Sequence, residues 1–270
     1  MPMTRFVPET REYIMAVELV EEQIQLYAKQ LKIPTFSHYE EVLRRTSPDQ
    51  TFAELLLFLL KAEYEQRQEN KNQRRLKQAG FPYTKTLDEL DVSRYGSQIT
   101  EMFMMELASC RFIDDKKNIV MMGNPGRGKT HLAIGLGLKA CAAGMSVLFK
   151  NASALSTDLT EARDTYVLGK LEKKIQKADL LIIDEMGYVS FDRYQSELLF
   201  KVIADRSERG SIIVTTNLPF SEWTTLFENT AMVTALIDRL TFHSYILDMN
   251  GDSYRLEQAK KFSKGGSLSD

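Results

Sequence analysis

The stretch Asn118-Ile119-Val120-Met121-Met122-Gly123-Asn124-Pro125-Gly126-Arg127-Gly128-Lys129-Thr130-His131-Leu132-Ala133 decides the fold. Its first five residues form a short run without polar alternation, the pattern of a strand covered on both faces. Residues 123–130 then match G-x-x-x-x-G-K-[ST], a loop whose backbone N–H groups turn inward around phosphate oxygens. Larger residues would obstruct that turn, which is why glycines recur in it. Lys129 is placed to neutralise β- and γ-phosphate charge, and the Thr130 hydroxyl to hold Mg²⁺. The helix predicted over 130–143 points its N-terminus and its dipole at the same anion. ATP and Mg²⁺ are therefore the expected ligands. The expected nucleotide-binding residues are Gly123, Asn124, Pro125, Gly126, Arg127, Gly128, Lys129, Thr130 and His131. Taken by itself, His131 reads as a surface or packing residue of the helix.

Downstream, Leu180-Leu181-Ile182-Ile183 is a second buried strand, and it delivers Asp184 and Glu185 to the edge of a sheet. Asp184 is expected at Mg²⁺, and Glu185 beside the water that attacks the γ-phosphate. Without the upstream loop, the pair would read as two solvated acids ending a strand. Thr215-Thr216-Asn217 ends a further strand, where Asn217 either positions that water or marks a turn. Arg239 closes a helical stretch before the last strand, and Arg255 follows that strand. Each is a candidate cation for the γ-phosphate or an ordinary surface residue.

Apolar runs at 118–122, 146–150, 180–184, 211–216 and 244–249 alternate with helices predicted at 130–143, 155–177, 194–209 and 254–262. Strands alternating with helices indicate a three-layer α/β domain with a parallel sheet. Residues 1–83 have a different texture and read as an all-α domain, which sets the ATPase domain at 84–270. Helices are predicted over 9–31, 36–45 and from Ser47 to Ala79. The third carries Ser47 as N-cap, Pro48 at the first turn, Gln50 completing a capping box and Gly80 as stop. Arg67, Lys71, Arg74, Arg75 and Lys77 crowd its polar end against Glu69 alone. They form either a stripe that tracks a phosphodiester backbone or a solubilising helix end. Lys170, Lys173, Lys174 and Lys177 read as a solvated face. Trp223 and the run Met102-Phe103-Met104-Met105 read as core.

Composition narrows the classes. With 270 residues and a net charge of −2, nothing in the overall balance demands a nucleic-acid partner. Two cysteines and three scattered histidines exclude a disulfide scaffold and a metal cluster. Acids and Arg11 interrupt the N-terminal stretch, which excludes a signal peptide, and Leu55–Leu60 is too short to span a bilayer. A cytoplasmic protein without a membrane partner is expected.

The ordered set GNPGRGKTHLA (123–133), LLIIDEMGY (180–188), IIVTTNLPFSEW (212–223), IDRL (237–240) and NGDSYRL (250–256) resembles the IstB family of transposition helper ATPases, within the AAA+ class. RRLKQAGFPYTKTLDELD (74–91) resembles the linker of that family. The likeness to DnaC-type helicase loaders is weaker. The resemblance implies a sheet of order 5-1-4-3-2 behind the helical N-terminal domain. It also implies Asn217 as first sensor, Arg239 as arginine finger and Arg255 as second sensor. Such proteins form homo-oligomers on double-stranded DNA in the ATP state and hand a target site to a transposase. About twenty residues follow the last predicted strand, so no full helical lid is expected and the role of Arg255 rests on a short terminal helix. Two other readings stand beside this one. In a helicase loader, an apolar exposed N-terminal face would be expected. A small-molecule kinase would have to exclude water, which Glu185 and the two arginines argue against.

Overall fold

The computed structural model describes residues 11–251, apart from Pro48, Glu208 and Glu228. Arg255 and the terminal helix expected at 254–262 lie outside the described residues. By contacts the chain separates into two compact units, 1–73 and 74–270.

The first unit holds α1 (Arg11–Leu31), α2 (Pro34–Ser37), α3 (Tyr39–Leu43) and the first part of α4 (Phe52–Ala79). The single helix expected over 36–45 is broken at His38, whose backbone leaves helical geometry. The start of α4 also differs from expectation. Thr51, not Ser47, caps it: the Thr51 N–H donates to Glu54 Oε2 at 2.7 Å, and the Glu54 N–H donates to Thr51 Oγ1 at 3.4 Å. This is the same reciprocal box four residues later, with a carboxylate in place of the Gln50 amide as the stronger acceptor. At the other end α4 stops where expected, at Gly80 with φ +76°. Composition divides the chain between residues 83 and 84, four residues beyond the end of α4. Contacts divide it inside α4, because Leu76 and Ala79 already pack into the core of the second unit.

The second unit continues through α5 (Glu101–Ala108) and α6 (Arg111–Asp114) into β1 (Asn118–Met122) and α7 (Lys129–Ala142). There follow β2 (Val147–Asn151), α8 (Ala152–Asp164), α9 (Leu168–Lys177), β3 (Leu180–Asp184), α10 (Arg193–Ser207), β4 (Ser211–Thr216), α11 (Thr230–Thr241) and β5 (Ser244–Asp248). The sheet is parallel in the order β2-β3-β4-β1-β5, as expected. Side chains alternate across each strand, so helices on both faces must be supplied with apolar partners. Ile119, Met121, Ile182 and Ile213 meet Leu132 and Leu136 of α7 on one face. Val120, Leu181, Ile183 and Val214 meet Leu155, Leu199 and Trp223 on the other. This burial fixes the sheet register and hence which residues emerge together at its carboxyl edge. β4 lies between β1 and β3, so the loop after β1 and the acids after β3 open on one crevice.

The methionine run is only half core. Met104 is buried, but Met102 and Met105 are 81% and 72% exposed, because an eight-residue helix packs one face alone. Trp223 is fully buried, with Nε1 donating to the Leu218 carbonyl at 3.4 Å.

Candidate nucleotide-binding site

β1 ends in the glycine-rich loop, and α7 starts at Lys129. Gly123 has φ +143°, and a Cβ there would stand 2.5 Å from the Met249 carbonyl carbon. Glycine at this position is thus required by the neighbouring backbone as well as by the loop. Lys129 is 9% exposed, and its ammonium donates to the carbonyls of Gly123 (2.5 Å) and Asn124 (2.9 Å). Helix α7 aims its free N–H groups and its dipole at the mouth of the loop.

Beside the loop stands a buried carboxylate. Asp184 is 4% exposed at the end of β3, and its Oδ1 accepts from Thr130 Oγ1 (2.9 Å) and Thr215 Oγ1 (2.6 Å). Burial raises its pKa, and the hydrogen bonds from Thr215 and Thr130 and the charge of Lys129 oppose that shift. Thr215 has a second role: its oxygen accepts the Glu185 N–H at 2.9 Å. Glu185 itself sits at φ +60°, a strained conformation for a non-glycine residue, which turns its side chain out of the strand line into solvent. There Asn151 holds it, with Nδ2 donating to Glu185 Oε2 at 2.6 Å. The Asn151 Oδ1 meanwhile caps α8, accepting the Ser153 N–H at 3.0 Å. The cap orients the amide so that its donor side faces Glu185.

A model of the family described as IstB-like ATP binding protein matches residues 26–262. The chain belongs to this family. Among its relatives, an ATP-binding protein of insertion sequence IS5376 from Geobacillus stearothermophilus is 37% identical over 246 residues, covering 89% of this chain and 96% of the relative. An ATP-binding protein of insertion sequence IS21 from Pseudomonas aeruginosa is 35% identical over 241 residues, covering 88% and 91%. Among solved structures, the DnaC helicase loader aligns with TM-score 0.51 and 18% identity over 65% of this chain and 98% of its own. DnaA from Aquifex aeolicus bound to AMPPCP aligns with TM-score 0.54 and 18% identity, over 70% and 57%. The fold is that of an AAA+ P-loop NTPase.

In this IstB-like protein the donor set fits a hard cation. A threonine hydroxyl and a carboxylate meet within hydrogen-bonding distance beside a phosphate cradle. A cleft of about 500 Å³ lies over the loop. Gly126, Gly128, Lys129 and Thr130 line it, together with Glu185 and Thr215 and with Tyr83, Lys85, Asp91, Arg94 and Tyr95 from the segment before α5. Burial pushes the Tyr95 phenol up to about 12. Asn217 packs its Oδ1 against Gly187, and that buried oxygen has no hydrogen-bond partner among the described residues.

Other predicted residues stand elsewhere or face other groups. His131 Nε2 lies 2.6 Å from the Thr86 carbonyl, so its proton ties α7 to the segment before it. Asn124 Nδ2 donates to the Gly251 carbonyl at 3.4 Å, and Arg127 donates to backbone carbonyls beyond the loop. Arg239 lies on α11, with Nη1 on the Ala235 carbonyl (3.1 Å) and its guanidinium 5.4 Å from the Phe200 ring; it does not line the cleft. On α4, Arg67 is engaged within the first unit by Glu63 at 2.6 Å and by the Lys32 carbonyl. Lys71, Arg74 and Lys77 are exposed, whereas Arg75 is half-buried against Gly144 at the end of α7. Lys170, Lys173, Lys174 and Lys177 are exposed on α9.

Sequence reasoning missed the dual role of Thr215, the Asn151 clamp and the cleft wall at 83–95. In the sequence Asn151 is only the residue after the apolar run 146–150. Its second role depends on pairing with Asp184 in the parallel register.

A buried Asp184 held above its usual pKa makes a stability claim with a definite sign. Its folded pKa exceeds its unfolded one, so its contribution is present at low pH and lost as pH rises through the folded value. Asp184→Asn is therefore expected to melt higher than wild type at pH 8 without metal, with the gap closing toward pH 4. The same variant loses the extra stabilisation that Mg²⁺ adds to ATP. Thermal melts across pH, with and without Mg²⁺-ATP, check both. A variant that melts lower at pH 8 yet keeps the Mg²⁺ effect would contradict this.

Proposed function

We propose that this protein is an ATP-hydrolysing, DNA-binding helper for transposition that works as a homo-oligomer and engages a transposase. One observation carries the hydrolytic part: the Thr215 hydroxyl ties a buried carboxylate, Asp184, to the backbone of an exposed one, Glu185. One acid is held beside Thr130 and the phosphate cradle, and the other is turned toward solvent by a strained residue and a clamp. Lys129 and the loop N–H groups bind the β- and γ-phosphates. Thr130 and Asp184 would hold Mg²⁺, which when bound would supply positive charge against the phosphates. Glu185 accepts the proton of the attacking water, and Asn151 aims its carboxylate. The unpaired Asn217 amide oxygen suits a donor on that water or on a protein group that moves with it. The γ-phosphoryl group passes to that water and ADP leaves, so no acceptor other than water is needed.

Arg239 lies away from the cleft of its own chain, and Arg255 is the other candidate cation. The reading assigns Arg239 to the γ-phosphate of a neighbouring copy. The exposed cations Lys71, Arg74 and Lys77 are assigned to duplex phosphates, with Arg67 and Arg75 contributing to the field from more constrained positions. The names of the relatives, ATP-binding proteins of insertion sequences, support transposition as the setting.

A second reading keeps the ATPase and changes the partner to a replicative helicase. It is favoured by the exposed apolar residues of the first unit, among them Met15, Leu19 and Val20 on α1 and Phe52 and Leu57 on α4. Such a surface suits a protein partner. Pull-downs with transposase and with helicase decide between the two.

Three experiments test the proposal. Lys129→Ala is expected to lose ATP binding, while Glu185→Gln binds ATP, releases phosphate at least a hundredfold more slowly and stays on duplex DNA longer. Replacing Lys71, Arg74 and Lys77 by Ala should weaken two unrelated duplexes equally and flatten the salt slope by roughly three units. Wild-type turnover in Glu185→Gln, or unchanged duplex affinity in the triple variant, would sink the corresponding part. The third experiment mixes Arg239→Ala with Lys129→Ala, each inactive alone. An arginine supplied in trans is worth ~10³–10⁵ in rate, so mixed oligomers should regain measurable phosphate release. Failure to regain it despite demonstrated mixing would place Arg239 in a structural role.

A further inference from the structure

The P-loop pattern leaves position 127 open, and this chain fills it with arginine. Arg127 is 6% exposed. Its Nε donates to the Met249 carbonyl at 3.2 Å, Nη2 donates to the Arg94 carbonyl, and the guanidinium lies 5.5 Å from the Tyr95 ring. One buried cation thus joins three pieces of chain: the phosphate loop, the 3₁₀ turn Val92–Gln98, and the strap 249–251 that leaves β5. Gly251 lies against it with φ +131°, and a Cβ there would stand 3.0 Å from the guanidinium carbon. The missing side chain is the space the arginine uses.

The strap is fastened to the loop elsewhere too. The Met249 N–H donates to the Met122 carbonyl at 2.7 Å, Asn124 reaches the Gly251 carbonyl, and Gly123 abuts the Met249 backbone. Gly123 and Asn124 are also the residues whose carbonyls accept the Lys129 ammonium. A phosphate in the cradle competes for that ammonium. Its arrival therefore changes the forces on the two loop residues in contact with the strap, while Arg127 transmits any shift of the loop to Met249 and Arg94.

We propose that Arg127 is a positioning residue that couples occupancy of the phosphate loop to the strap at 249–251 and the turn at 92–98. The proposal rests on the nucleotide reading of the site and deepens it. Arg127 reaches carbonyls of two separate segments from two different nitrogens, Nε and Nη2, whereas a lysine ends in one compact ammonium that cannot reproduce that planar fork. The strap does not line the cleft, so a response there reports transmission and not direct contact with nucleotide.

The test is hydrogen–deuterium exchange on the full chain with saturating Mg²⁺ and adenosine 5′-(β,γ-methylene)triphosphate. In wild type, nucleotide slows exchange at 123–130, at 92–98 and at 247–251. In Arg127→Lys it still slows 123–130, but the effect at 247–251 falls at least fivefold. Gly251→Ala crowds the guanidinium from the other side and gives the same loss at the strap, deciding the matter if Arg127→Lys does not fold. A purely structural arginine would lower the melting temperature and leave the nucleotide-dependent difference at 247–251 intact in the folded variant; that result overturns the proposal. A wild-type strap that ignores nucleotide while 123–130 responds also overturns it. No response at 123–130 in wild type would remove the nucleotide reading and this proposal together.

Discussion

A carboxylate that is almost wholly withdrawn from water must have its charge answered, and Asp184 is the residue around which this domain is arranged. Leaving it unpaired would cost several kcal/mol, on the order of the entire stability of a domain. Two threonine hydroxyls answer it, one from the first turn of α7 and one from β4. Asp184, Thr130 and Thr215 therefore lock three consecutive parts of the sheet edge to one another. The loop after β1, the acids after β3 and the end of β4 hold their places because a single oxygen accepts from both sides. The remaining shift of Asp184 above its usual pKa comes from burial, which the two hydroxyls offset only in part.

Strain is stored next to that lock. Glu185 adopts φ +60° with its N–H on Thr215 and its carboxylate on Asn151, so two neighbouring strand ends hold one residue, by its backbone and by its side chain. A flexible glutamate at the end of a strand would sample many positions. This one is aimed, and the folding energy of the sheet holds it so.

How much of this was legible in the sequence follows from what each signal depends on. The buried strands and the glycine loop are local patterns, and their apolar runs marked β1, β3 and β4 without error. Asp184 and Glu185 stood out because a strand visibly ran into them. Thr215 and Asn151 did not, because their roles arise from parallel pairing between strands far apart in the chain, such as Asn151 with Asp184. Arg127 was masked by its own motif: inside a phosphate loop it suggests a ligand contact, yet its partners are the carbonyls of Met249 and Arg94. The cap of α4 slipped by four residues because two boxes compete there, and the carboxylate of Glu54 prevails over the amide of Gln50. On the same helix, Arg67 looked like one more cation of a stripe, whereas the buried Glu63 engages it.

The Thr215 hydroxyl is the link between the two acids, and its removal is the most direct test of their joint role. Thr215→Val keeps the shape of the side chain and removes only that group, so the strand and its packing are preserved. Steady-state phosphate release and ATP affinity, measured on the same preparation, provide the comparison. ATP is expected to bind still, within about tenfold of wild type, while phosphate release falls by about a factor of ten or more. Turnover equal to wild type in a variant that binds ATP normally would contradict it.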